Sequence, residues 1–510
     1  MTKTTLTKPR AELRTNTLDF EMTPLVKPTG FREYDARWWF GMQGNDAAPE
    51  LNFLGVQALG LGLGTLLQDY GTSRVVVGHD YRFYSLSIKQ ALILGLMQAG
   101  CEVLDIGLAL SPVAYYAQFA LDAPAVAMVT ASHNENGWTG VKMGAHKPLT
   151  FGPEEMGRLK DIVLSGAFEE RVGGSLTRID GMRERYIADI VDDFKLSRPI
   201  KVVVACGNGA AGAYAPEALR AMGADVVEMD CTLDWTFPKY NPNPEDELML
   251  KAMASTVLNS GAELALGFDG DGDRCGVVDD QGEEIFADKI GLLLARDLSS
   301  SHKNATFVVD VKSTGAYKID PVLKANGARV DYWKTGHSYI KRRTHELGAL
   351  AGFEKSGHFF FRAPYGRGYD DALVAARAIL GMLDRAGGRV LSTLKQELPL
   401  TWTSLTMSAH CADEIKYQVI DKVVANYVAL ANTNESILGR AIRDVNTVNG
   451  ARVTLADGSF VLVRASSNKP ELVVVVESSI SDGDMRALFH EEVKPRLAAY
   501  PEVGHYNQTI

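Results

Sequence analysis

The sequence predicts an α/β protein built of several successive blocks and closed by a smaller α+β unit, and three observations carry that prediction. At 510 residues the chain exceeds one ordinary core, and roughly 150 residues per domain implies about three or four domains. Short β-branched runs alternate with longer amphipathic stretches over most of the length, the pattern of βαβ units with mainly parallel sheets. Roughly the last hundred residues break that rhythm with a hairpin.

Taken in order, Arg74–Gly78 (RVVVG) reads as a strand, followed by a helical pattern over Ser85–Ala99. Strands follow at Ala125–Thr130, Lys201–Ala205, Leu264–Phe268 and Thr306–Val311. In the terminal unit a helix over Ala412–Ala431 precedes strands Ala451–Leu455 and Ser459–Val463, joined by the turn Ala456-Asp457-Gly458. A strand Leu472–Glu477 and a helix Asp482–Ala499 complete it. Boundaries near 177, 283 and 398 divide the chain into 1–177, 178–283, 284–398 and 399–510.

Composition narrows the function. The chain is 46% hydrophobic and 23% charged, as in soluble globular proteins. A net charge of -10 argues against a nucleic-acid binder, which needs a basic face, but leaves room for local cations that hold a small phosphorylated substrate. Cys101, Cys206, Cys231, Cys275 and Cys411 are scattered singly, so neither a disulfide framework nor a zinc site is indicated. Met1–Met22 lacks the apolar core of a signal peptide, and no apolar run has transmembrane length. The expectation is a cytoplasmic protein without a membrane partner; its oligomeric state is left open.

Four segments carry the chemistry. Thr130-Ala-Ser-His-Asn134 follows a buried-looking strand, where loops of parallel sheets bear ligand chemistry. Ser132, beside His133 and ten residues before Lys142, has the surroundings to accept and release a phosphoryl group, although a polar turn or helix N-cap explains the segment equally. In Asp269-Gly-Asp-Gly-Asp-Arg274 three alternate carboxylates repel one another unless a cation neutralises them, and the glycines let the backbone curl. An EF-hand is excluded, because Arg274 and Asp280 stand where its Gly and Glu belong. Oxygen donors favour Mg²⁺ or Ca²⁺ over zinc.

Glu354, Ser356 and His358 in Gly352-Phe-Glu-Lys-Ser-Gly-His358 share one face of an extended loop, a pattern suited to vicinal sugar hydroxyls but also to an ordinary polar loop. Arg464-Ala-Ser-Ser-Asn-Lys-Pro470 offers a guanidinium and hydroxyls for an anion nest, or else a polar β-turn.

In this order and at these separations the four segments resemble the α-D-phosphohexomutase superfamily, in particular its bacterial phosphomannomutase/phosphoglucomutase branch, from Gly30-Phe-Arg-Glu-Tyr-Asp-Ala-Arg37 to the last loop. The resemblance implies three related mixed-sheet α/β domains plus a C-terminal α+β domain around a central cleft. It implies interconversion of hexose 1-phosphate and hexose 6-phosphate, of mannose and/or glucose, through phosphoserine at Ser132 and a hexose 1,6-bisphosphate. Mg²⁺ would lie on Ser132, Asp269, Asp271 and Asp273; Glu354 and Ser356 would read the sugar's O3 and O4. Arg464, Ser466, Ser467 and Asn468 would hold the resting phosphate. Tyr34, Arg37, His133, Lys312 and His358 fall on substrate-facing positions, with Lys142, Arg274 and His337 for acid/base or charge-stabilising roles. Departures from the family pattern are Glu135, Thr139-Gly140, Trp38 and, in the last loop, Asn468 and Lys469.

Competing readings are a phosphoglucosamine mutase, a phosphoserine-dependent sugar phosphatase and a non-catalytic sugar-phosphate sensor. Another is a dinucleotide binder, from Gly207-Asn-Gly-Ala-Ala-Gly212 after a strand with acidic residues about twenty positions on.

Overall fold

The computed structural model describes residues 6–467 and 469–510. The chain forms two compact units: one reaches to Ile285 and takes in Gly357–Leu391, the other comprises Phe286–Ser356 and Ser392–Ile510.

The first unit holds two mixed sheets. One has six strands in the order Ala36–Trp39, Trp138–Gly144, Ala125–Val129, Arg74–His79, Glu102–Leu108 and Ser175–Arg178. The last four are parallel; Trp138–Gly144 runs antiparallel to Ala125–Val129 and to Ala36–Trp39. Ala125–Val129 is buried at every position, as expected of an interior strand covered on both faces. Beside this sheet the helices Phe53–Asp69 and Ser85–Gln98 pack against each other at very close range. A Cβ on Gly60 would stand 2.2 Å from Leu92 O and one on Gly95 2.1 Å from Gln57 O, so only glycine admits this approach.

The second sheet runs Glu284–Ile285, Cys275–Asp279, Leu264–Phe268, Lys201–Ala205 and Asp225–Met229. Its last three strands are parallel, but Leu264–Phe268 and Cys275–Asp279 form an antiparallel pair with Phe268 opposite Cys275. Residues 269–274 are therefore the turn of a hairpin rather than a strand-to-helix loop. Both sheets are mixed, as the resemblance implies: parallel pairs prevail in the first and equal the antiparallel ones in the second, because β-branched runs do not encode strand direction.

In the second unit Thr306–Asp310 lies between parallel neighbours Arg329–Trp333 and Ala351–Phe353. A seven-stranded sheet follows, antiparallel in every pair and backed by the helix Lys416–Asn432. The expected final helix is present but not uniform, since Leu488–Val493 is a π-helical stretch between Asp482–Ala487 and Lys494–Ala498. Pro495 follows immediately; having no N–H, it cannot extend an α-helical ladder, and the wider turn before it absorbs the missing bond.

Candidate active site

Ser132 sits just beyond Ala125–Val129 with its backbone in the left-handed region at φ +53, where a serine stays only if its neighbours fix it. They do so from three sides. The Arg82 guanidinium donates to Ser132 O at 2.9 Å and Asn134 O at 2.6 Å. Asp80 pairs with Arg82 and accepts from Ala131 N at 3.1 Å and Ser85 Oγ at 2.5 Å. Thr130 Oγ1 accepts from Ser132 N at 2.8 Å and donates to Asp271 Oδ2 at 3.1 Å. Arg37 donates to Thr130 O at 2.8 Å. Ser132 Oγ is thus held against the acidic turn, donating to Asp269 Oδ2 at 3.1 Å, with His133 Nδ1 at 3.3 Å on its other side.

The acidic turn is built by its own side chains. Asp269 Oδ1 accepts from Asp273 N at 3.1 Å and Arg274 N at 3.2 Å, curling the backbone back on itself. Gly272 takes φ +72, and a Cβ on Gly270 would lie 2.5 Å from Ser132 O, so both glycines are needed for turn and serine to meet. Lys142 Nζ bridges Asp271 Oδ2, at 2.8 Å, and Asp273 Oδ2. Ser111 Oγ adds a bond to Asp271 Oδ2 at 2.6 Å.

Burial pushes the Asp269 carboxyl well above its usual range, and the charges of Asp271 and Asp273 push it the same way. Burial also works against Asp271, yet the Lys142 charge and the bonds from Lys142 and Ser111 hold that carboxyl well below the usual range. Lys142 is itself desolvated but stays well above its usual value through Asp271 and Asp273. Burial, with the charges of Arg274 and Arg37, keeps the His133 imidazole well below its ordinary range, hence neutral.

Lys142 bridges only Asp271 and Asp273, and the burial and repulsion that raise Asp269 remain for a cation to offset. Asp269, Asp271 and Asp273 are fully buried, offer oxygens within 4.8 Å of one another, and leave Asp271 Oδ1 without a hydrogen-bond donor. This all-oxygen set fits a hard cation, and the loop is able to hold a metal ion.

Arg274 and His358 join this turn. Arg274 Nε donates to His358 Nε2 at 3.0 Å, which leaves the ring proton on Nδ1, facing Asp370 Oδ2 at 3.2 Å and Asp273 Oδ1 at 3.6 Å. His358, read from sequence as sugar-facing, is thus engaged by the acidic turn. Tyr34 is buried. Trp38 departs from the family pattern for packing reasons: its ring is wholly buried, donates Nε1 to Lys27 O at 2.8 Å and meets Phe31 edge-on.

The second unit carries the other predicted residues. Asp310, at the end of its strand, ties three loops together. It accepts from Ser313 Oγ at 2.6 Å, Thr335 Oγ1 at 2.9 Å and Lys355 N at 3.2 Å, with Lys312 Nζ 3.9 Å away. Glu354 is buried and accepts from Gly336 N at 2.5 Å, just before His337 opens the helix His337–Glu346. Ser356 is half-buried. In the last loop Arg464, Ser466 and Ser467 are largely buried; Asn468 lies outside the described residues. Lys416 supports that loop from beneath, donating to Ser466 O at 2.5 Å and Lys469 O at 3.0 Å.

Sequence reasoning missed Asp80, Arg82, Ser111, Asp310, Asp370 and Lys416. The strand-end position of Asp80 and Asp310 was the only available signal. The glycines behind the dinucleotide reading serve close packing here: a Cβ on Gly212 would strike Cys231 O at 2.0 Å, and one on Gly209 would touch Gly270 and Pro242 at 3.3 Å.

Comparison with known proteins agrees with this geometry. Models of phosphoglucomutase/phosphomannomutase α/β/α domains I, II and III match residues 29–170, 184–282 and 286–401, and the model of the C-terminal domain matches 411–494. A phosphomannomutase/phosphoglucomutase of Pseudomonas putida is 33% identical over 474 residues, covering 92% of this chain and 95% of that protein. A probable phosphoglucosamine mutase of Methanothermobacter thermautotrophicus is 30% identical over 81% of this chain and 87% of its own. The crystal structure of a phosphoglucomutase/phosphomannomutase family protein from Burkholderia thailandensis aligns with TM-score 0.82 at 30% identity, covering 94% and 99% of the two chains. Fold and matches together define a phosphohexomutase, an isomerase of hexose phosphates. The chain belongs to the phosphoglucomutase/phosphomannomutase family of the α-D-phosphohexomutase superfamily. Among the described residues no helix is long and apolar enough to cross a membrane.

Proposed function

We propose that this enzyme interconverts the 1- and 6-phosphates of mannose and glucose through phosphoserine at Ser132. The observation that carries the reading is Ser132 Oγ held 3.1 Å from Asp269 inside a three-carboxylate turn. Asp269, Asp271, Asp273 and the phosphoserine would hold Mg²⁺, whose charge, when bound, neutralises phosphoryl oxygens.

The chain's own groups do the rest. The 6-hydroxyl of a hexose 1-phosphate attacks the phosphorus of phospho-Ser132, its proton leaves to a base, and the P–Oγ bond breaks to give a hexose 1,6-bisphosphate. The bisphosphate turns end for end and returns its 1-phosphate to Ser132. Lys142 and Arg274 supply positive charge beside the phosphoryl in flight, and neutral His133 lines the serine. His337 is assigned to proton transfer in the second unit. Tyr34, Arg37, Lys312 and His358 shape the substrate's surroundings. Glu354 and Ser356 bind sugar hydroxyls, while Arg464, Ser466, Ser467 and Asn468 hold the resting phosphate. The four-block division at 177, 283 and 398 gives each of these loops its own domain. Five buried, unbridged cysteines suit a reducing cytoplasm.

The test is an isomerisation assay on glucose, mannose and glucosamine 1-phosphates with Mg²⁺ and trace glucose 1,6-bisphosphate, with Ser132→Ala alongside. Hexose 6-phosphate from glucose and mannose substrates, lost in the variant, is expected. Preferred turnover of the glucosamine substrate, or release of free phosphate without isomerisation, would overturn the assignment.

A further inference from the structure

Beneath the glycine stretch lies a pair of sulfurs that the sequence does not announce. Cys206 follows the strand Lys201–Ala205, and Cys231 stands two residues past the neighbouring parallel strand Asp225–Met229, with Ala205 opposite Met229. Both thiols are buried and their Sγ atoms are 3.6 Å apart. Cys231 also donates to Val204 O at 3.2 Å, which keeps its sulfur turned toward Cys206's strand.

Each cysteine roots a loop, and the two loops grip the candidate active site. Asn208 binds the Cys231 side through Asp230 O and Thr232 O, both at 2.7 Å. Ala210 N donates to Gly270 O, in the acidic turn, at 3.4 Å. From the other loop, Trp235 O accepts from Asn136 at 2.8 Å, and Asn241 donates to His133 O. The loops rooted at this sulfur pair therefore reach the residues that follow Ser132 and Asp269, through Asn136 and His133 on one side and Gly270 on the other.

We propose that Cys206 and Cys231 form a modification site, a reversible disulfide made by hydroperoxides that slows phosphoryl transfer by drawing these two loops together. Cys231 is 8% exposed and Cys206 is not exposed at all, so the oxidant meets Cys231 first. Its thiolate attacks the peroxide O–O bond and becomes a sulfenic acid, releasing hydroxide that takes up the thiol proton as water. Burial and the facing sulfur lift the Cys206 thiol well above its usual range, so it remains a thiol until that electrophile forms beside it. The Cys206 sulfur then displaces the sulfenic oxygen as a second water. With hydrogen peroxide, two thiols and one oxidant yield one disulfide and two waters; a dithiol reverses it by exchange. The sulfurs move from 3.6 Å to about 2.05 Å, and a shift on the order of 1 Å in groups beside the reacting atoms is enough to lower turnover by roughly a hundredfold.

The experiment treats the purified full-length chain with hydrogen peroxide, then dithiothreitol, following an unreduced peptide map and hexose phosphate isomerisation. The expected result is a linked peptide pair containing Cys206 and Cys231, turnover lowered by one to two orders of magnitude, and recovery on reduction. Cys231→Ser and Cys206→Ala should keep basal turnover and resist the peroxide. Absence of the linked pair overturns the proposal, as does a linked protein with full turnover, or equal loss in Cys231→Ser. The turnover readout rests on the proposed mutase reading and the linked peptide does not, so the two failures are distinguishable.

Discussion

The acidic turn and the loop after Phe460–Ala465 both join antiparallel strands, yet a lysine meets carboxylates in the first and backbone carbonyls in the second. Residues 269–274 are organised from inside: Asp269 accepts from two backbone N–H groups of its own turn, and Lys142 bridges the other two carboxylates. Around Ser466 and Lys469 the loop has backbone bonds and one bond from Lys469 N to Ser466 Oγ at 3.2 Å, and two of its carbonyls are gathered by the Lys416 ammonium. Around Ser132, proposed above to carry the phosphoryl group, the fold buries a network whose members position one another. In the terminal loop a cation under the backbone gathers the carbonyls instead, and among the described residues no buried carboxylate partners it there.

Removing one buried partner on each side tests that contrast most strongly. Arg82→Ala leaves Asp80 buried and unpaired beneath Ser132, and should cost about 3–5 kcal/mol in urea denaturation, part of which Asp80→Ala restores. Lys416→Ala should cost clearly less, because its partner Asp413 is 38% exposed and can hydrate. Equal losses would erase the distinction between the two loops.

A cation should complete only the acidic turn. Mg²⁺ at a hundred times its dissociation constant should stabilise the protein by about 2.7 kcal/mol, seen as a rise in Tm that Asp271→Asn removes. A rise of the same size in that variant would place the ion elsewhere. On the anion side, Lys416→Met should raise KM for hexose phosphate by roughly tenfold with kcat nearly unchanged, as for one lost charge-assisted bond. A fall in kcat with KM constant would instead make Lys416 part of the chemistry.

A separate effect, outside both loops, concerns pH. Burial raises the Asp371 carboxyl to about 7, against the hydrogen bonds it accepts from Val374 N, Tyr186 and Leu373 N. A folded value above the unfolded one of about 3.9 means the native state holds the extra proton. Asp371 therefore adds stability below pH 4 that is lost as pH rises toward 7, with a slope of up to about 1.4 kcal/mol per unit. Asp371→Asn keeps a capping oxygen and should flatten that slope between pH 5 and 7; an unchanged slope would assign it to other groups.

What could be read from sequence follows the same physical division. Lys201–Ala205 and Leu264–Phe268 lie where short apolar runs put them, because interior strands need an apolar side chain at nearly every position. The acidic turn was legible because alternate carboxylates have no neutral explanation. Its supports were not. Arg82 meets Ser132 O across 50 residues and Ser111 meets Asp271 across 160, with no local pattern to mark either. Trp38 looked like a change beside the site and is a core residue. The cysteines looked solitary because strand pairing, which brings Cys206 to Cys231, is not written in their spacing.

The central claim is that Ser132 carries the phosphoryl group between the two positions of the hexose. The most direct measurement loads the protein from glucose 1,6-bisphosphate bearing labelled phosphate, maps the label by peptide mass spectrometry, then chases with unlabelled glucose 1-phosphate in a single turnover. The account predicts one labelled residue, Ser132, and transfer of that label to the hexose as fast as isomerisation. Label on another residue, or label on Ser132 that isomerisation leaves in place, would contradict it.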